Sequence, residues 1–91
     1  MEFEWDEDKA AQNLKKHKVA FSEAATVFGD PLSKTFPDPN HSIDEDRFIL
    51  IGTSDQGRVL IVSHTDRADR IRIISARKAT NRERKAYEEE G

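Results

Sequence analysis

The chain has no cysteine, which removes disulfide bridges, thiolate metal sites and a thiol nucleophile together. Its four glycines form no Walker-type or dinucleotide-binding loop. No run approaches the roughly 20 apolar residues of a membrane span, and the opening "MEFEWDEDKAAQN" lacks the pattern of a signal peptide, so a cytoplasmic protein with no membrane association is expected. The "NHS" at 40–42 therefore carries no weight as a glycosylation site. Three histidines, at 17, 41 and 64, show no metal-ligand spacing. In "SHTD" at 63–66 the serine, histidine and aspartate lie along one strand, with no nucleophile elbow to aim them at one another. No metal and no cofactor are expected.

What is present is charge. Ninety-one residues, 35% hydrophobic and 36% charged, make one domain (1–91) with a small core. The net charge of −3 is unevenly spread. Residues 1–57 hold 6 Lys/Arg against 12 Asp/Glu, residues 58–85 hold 9 against 3, and the tail 86–91 adds three glutamates. Screening beyond about 8 Å lets such a local cationic excess bind a polyanion within an acidic chain. The plainer alternative is a solvated surface.

The hydrophobic pattern predicts an α+β domain. "EFEW" at 2–5 reads as a first strand, and Asp6 as the N-cap of a helix over 7–17 with Ala10, Leu14 and His17 on its inner stripe. Ser22 is expected to cap a second, short helix, ended by "GDP" at 29–31. "SKTF" admits a short edge strand in a segment containing three prolines and the acidic run 44–46. "RFILIGTS", "RVLIVSHT" and "RIRIISAR" follow as an antiparallel meander, with turns at 54–57 and 66–69. Thr80 and Glu83 form a capping box for a last helix whose apolar stripe, Ala79, Ala86 and Tyr87, is poor.

Counting from those turns pairs Thr53 with Arg58 and Thr65 with Arg70. It puts Ile49, Ile51, Leu60, Val62, Ile71 and Ile73 on the helix-facing side of the sheet. Phe48, Leu50, Ile61, Ser63, Arg70 and Arg72 then share the other side, half apolar and half cationic. Trp5 is read as core. "KKHK" at 15–18 has two readings: cations complementing the C-terminal end of the helix, or a titrating His17 flanked by phosphate-binding lysines. Arg77 has two as well, an ion pair with an acid or stabilisation of a phosphorane.

Taken in order, "WD..K...N..KH", "F.EA..VF.DP", "IG....GR.L.V" and "IRIISAR.A...ER..YE" span nearly the whole chain, which closely resembles the BrnT family of ribonuclease toxins from type II toxin–antitoxin modules. The resemblance implies a RelE-like fold, with helices on one face of an antiparallel sheet and RNA cleavage on the other. It implies a partner too, a BrnA-type ribbon-helix-helix antitoxin that would bring the toxin to operator DNA. It further implies a metal-independent endoribonuclease with His17, Arg72 and Arg77 as catalytic residues and Lys15, Lys16, Arg70 and Arg82 along the RNA backbone. A non-catalytic RNA- or protein-binding module on the same scaffold is the alternative. Lys18 departs from the glycine usual after "KH" in that family, and a left-handed lysine there should cost about 1 kcal/mol.

Overall fold

The computed structural model describes residues 1–39 and 46–90, the side chain of residue 90 excepted. The sequon at 40–42 and positions 44 and 45 of the acidic run lie outside the described residues. The elements are β1 (Glu2–Glu4), α1 (Glu7–His17), α2 (Phe21–Thr26), a 3-10 turn (Val27–Gly29), β2 (Lys34–Pro37), β3 (Arg47–Thr53), β4 (Val59–Arg67), β5 (Arg70–Lys78) and α3 (Asn81–Glu90).

Local signals acted as expected at both long helices. The Asp6 side chain accepts from the Lys9 amide and caps α1, and that bond holds its carboxyl below the ordinary range. At α3 the Thr80 Oγ1 accepts from the Glu83 amide while Glu83 accepts from the Thr80 amide, a complete capping box. Two expectations fail. Helix α2 begins after Ala20 with no side-chain cap, and Ser22 is exposed within its first turn. On α1 Leu14 is half exposed, and the residue turned inward is Asn13, for a reason set out below.

The five strands form one sheet in the order β1-β5-β4-β3-β2. Strands β2 to β5 pair antiparallel, but β1 runs parallel to β5, so the sheet is mixed rather than antiparallel throughout. Helices α1 and α2 pack on one face, where Val19, Phe21, Ala24 and Val27 meet Leu50, Leu60, Val62, Ile73 and Ala76 in the core. Phe3, Trp5 and Phe28 pack against this cluster, with Trp5 edge-on to Phe21.

The expected register was wrong in β3. Thr53 pairs with Val59, not Arg58, because the first hairpin loop holds one residue more, closed by the Ser54 amide on the Arg58 carbonyl. Since side chains alternate, one residue turns the strand over. Leu50 therefore faces the helices, while Ile49 and Ile51 face away with Ile61. Gly52 shows why this register holds: a Cβ there would come within 2.9 Å of Val27 and Ser33 and 3.0 Å of Asp30, so the 3-10 turn seats on it. In the second hairpin Thr65 pairs with Arg72, two residues from expectation, and Ala68 takes the turn position at φ 54°. A shift of two preserves the faces, so Ile71 and Ile73 do point to the helices.

Candidate RNA-facing site

Strand β5 contains a bulge. Ser63 pairs with Ser75 but His64 with Ile73, leaving Ile74 without an opposite residue. The bulge reverses the alternation along β5. Arg77 is an odd number of residues from Arg70 and Arg72 and would lie across the sheet from them in a regular strand. With the bulge, Arg70, Arg72, Ser75 and Arg77 follow one another on the face away from α1 and α2. The uncovered edge of β5 beyond Arg72 meets α1, since β1 pairs with β5 only as far as that residue. There the buried Asn13 acts as a short piece of strand. Its Nδ2 donates to the Ala76 carbonyl (2.9 Å) and the Val19 carbonyl (2.8 Å), and its Oδ1 accepts from the Ala76 amide (3.1 Å).

Asn13 thereby fixes where α1 ends. Lys18 caps that helix in the left-handed region, φ 61° and ψ 32°, its amide on the Leu14 carbonyl at 3.0 Å. The lysine thus takes the conformation that suits the family's glycine. His17, half-buried, then shares a shallow concavity with Lys16, Ile74 and Ser75. It lies beside the one residue of the outward row that separates Arg72 from Arg77.

Arginines on this face carry acidic partners. Arg72 Nη1 donates to Glu4 Oε2 at 3.0 Å, and Arg70 lies 3.5 Å from Glu2 and 3.7 Å from Glu4, its parallel-strand neighbours. Arg77 makes a two-pronged bond to Glu83 of α3, at 2.8 and 3.0 Å. The Arg77 guanidinium holds the Glu83 carboxyl down to about 2, while the carboxylate raises the arginine. Arg77 lines a different concavity from His17, together with Ile51, Ile61, Glu83 and Tyr87. Lys15 and Lys16 are exposed on the last turn of α1, and Arg82 is exposed on the first turn of α3.

Several residues that the sequence reading left without a role act as polar clamps. The buried Glu23 accepts from Arg58 and from Ser54 Oγ (2.7 Å), tying α2 to the first hairpin. Those bonds lower the Glu23 carboxyl. Asp30 accepts from the Tyr87 hydroxyl and from the Thr53 amide (2.8 Å), fastening α3 across the end of β3. Burial acts to raise the Asp30 carboxyl, and its hydrogen bonds from Tyr87, Thr53 and Leu32 bring it below the ordinary range. One signal for Asn13 lay in the sequence: it stands three positions after Ala10 and four before His17, on the same side of the helix. His64, by contrast, is packed between Phe28 and Phe48 on the helix side, and burial pushes its imidazole down. Ser63 faces the other side, so "SHTD" assembles no triad. Among the described residues no three His, Asp or Glu are grouped to hold a metal ion.

The model of a family described as the ribonuclease toxin BrnT of type II toxin–antitoxin systems matches residues 5–83. The crystal structure of the ribonuclease toxin BrnT from Brucella abortus superposes with a TM-score of 0.70 at 25% identity, covering 89% of this chain and 99% of that one. No curated protein sequence matches the chain.

Proposed function

The chain belongs to the BrnT family of ribonuclease toxins of type II toxin–antitoxin systems, and we propose that it cuts RNA without a metal, on the sheet face that carries Arg70, Arg72 and Arg77. The observation behind this is the Ile74 bulge, which gathers those arginines on one face together with Ser75, a residue that shares a concavity with His17. A base takes the 2′-hydroxyl proton, the oxygen attacks the neighbouring phosphorus, and the 5′-oxygen leaves with a proton from an acid. The products are a 2′,3′-cyclic phosphate and a 5′-hydroxyl end. His17 is assigned to one of the proton transfers, and Arg72 and Arg77 to stabilising the phosphorane charge. Five residues of strand span roughly 16 Å, so the two arginines approach the scissile region from opposite ends unless both bend toward Ser75. Lys15, Lys16, Arg70 and Arg82 line the path of the flanking phosphates.

The carboxylates on these arginines do not bar RNA. Exposed ion pairs are worth about 0–1 kcal/mol, and a phosphate offers the same fork a comparable partner. They do favour a second reading, in which the face binds but does not cut. Incubating the purified chain with RNA in EDTA separates the two. Cleavage with 5′-hydroxyl ends, lowered about 100-fold by His17→Ala, is expected. Intact RNA with the folded chain, or cleavage untouched by both His17→Ala and Arg72→Ala, overturns the assignment. The partner in the cell is proposed to be a BrnA-type ribbon-helix-helix antitoxin, which would carry the toxin to operator DNA, and the compartment the cytoplasm. No described helix is long and apolar enough to cross a membrane.

A further inference from the structure

Strand β1 sets acidic side chains along the arginine row. Side chains alternate along it, so Phe3 turns inward onto Phe28, ring centroids 5.1 Å apart, while Glu2 and Glu4 turn outward. The parallel register places Glu2 beside Arg70 and Glu4 beside Arg72. Two carboxylates thus stand about 7 Å apart along the edge of the face, as charges on a short polyanion would.

The arginines of this face are not held alike. The Arg70 and Glu2 side chains are 55% and 66% exposed and lie 3.5 Å apart, so water competes for both. Arg72 and Glu4 are 32% and 25% exposed and meet at 3.0 Å, and the other oxygen of Glu4 lies 3.7 Å from Arg70. One carboxylate therefore serves two guanidiniums. Glu83 differs again: it takes both prongs of Arg77 and also accepts from the Thr80 amide (2.8 Å), so it cannot swing away without opening the cap of α3. The bond from Arg72 to Glu4 is single-pronged and closes no cap. We propose that Glu4 is an internal competitor for RNA: it occupies Arg72 in the free chain and gives up that guanidinium when a phosphate arrives, whereas Glu83 keeps Arg77 paired throughout. A phosphate oxygen offers the guanidinium the same kind of charge-assisted bond as the carboxylate it displaces, so binding at Arg72 gains only the difference between the two. Glu4 thereby sets the RNA affinity of the face below what its arginines alone would give. Arg77 presents to RNA only the N–H groups that Glu83 leaves open.

This role of Glu4 rests on the reading of the face as RNA-binding, and it is tested without cleavage. The probe is a single-stranded 2′-O-methyl RNA, which lacks the attacking hydroxyl, titrated with the whole chain and followed by fluorescence anisotropy. Glu4→Gln should tighten binding about fivefold, the upper range for a partly exposed pair. Glu2→Gln removes the same charge from the same strand and should change affinity by less than about twofold. In an Arg72→Ala chain, which should bind more weakly, adding Glu4→Gln should likewise gain less than about twofold. Unchanged affinity in Glu4→Gln overturns the proposal, and a lowered melting temperature in that variant would then make the pair a fastener of β1. An equal gain in Glu2→Gln, or a gain that survives Arg72→Ala, overturns it too, since either reports net charge alone. If Arg72→Ala binds RNA as tightly as the unaltered chain, the RNA-facing reading falls with it. If Arg72→Ala binds weakly and Glu4→Gln is unchanged, only the competitor role falls.

Discussion

The two faces of this sheet are built from the same kinds of residue and differ in what lies over them. Toward α1 and α2, Leu50, Leu60, Val62 and Ile73 are almost entirely removed from solvent. On the opposite face Ile49 and Ile51 remain half-buried, and the arginines that β5 adds to that face each have a carboxylate at hand. The first face is where the fold gains its stability. The second carries cations balanced by neighbouring carboxylates.

Pairs of like substitutions sharpen this contrast. Ile73→Ala should cost about 3–4 kcal/mol in chemical denaturation, whereas Ile51→Ala should cost about 1 kcal/mol, because a half-open site leaves little cavity. Equal losses would mean that the second face is covered in the free chain. Asn13→Leu comes next, at about 2 kcal/mol, since it strips the Ala76 and Val19 backbone groups of their partner in a buried setting. The same variant should let α1 drift from β5 and lower cleavage more than stability alone explains.

Glu83→Gln keeps the capping box and removes the charge opposite Arg77. With the carboxyl held at about 2 in the folded chain against 4.5 ordinarily, the ionised pair favours folding above pH 4.5. That contribution fades as pH falls toward 2. The expected loss at neutral pH is about 1 kcal/mol, after allowance for screening at a carboxylate one-third exposed. The gap between the unaltered chain and the variant should close between pH 4.5 and 2 in melting experiments. Lys18→Gly has the smallest effect and the opposite sign, a gain of up to about 1 kcal/mol from relieving a left-handed lysine. No gain would mean that the Lys18 carbonyl, which accepts from Arg58 at 3.1 Å, moves when the side chain is lost.

Much of the chain was legible one element at a time. The Asp6 cap, the Thr80–Glu83 box and the β-branched runs act through neighbours within four residues, so their consequences lie in local sequence. The orientation of β3 was not legible, because it depends on a five-residue loop rather than four, and one residue turns every side chain over. The clamp of Glu23 on Ser54 and Arg58 sets that loop, and the seat of the 3-10 turn on Gly52 holds the strand beyond it. Those are contacts between residues some 25 to 35 apart.

The candidate site shows the same division. The sequence alone determined that arginines would crowd into β5 and that His17 would end α1. Only the tertiary structure decided that Arg77 joins Arg70 and Arg72 on one face. That depends on the extra residue at Ile74, and on Asn13 holding α1 against the edge that β1 leaves uncovered. A bulge is a mismatch between two strands, and neither strand carries it in its own residues.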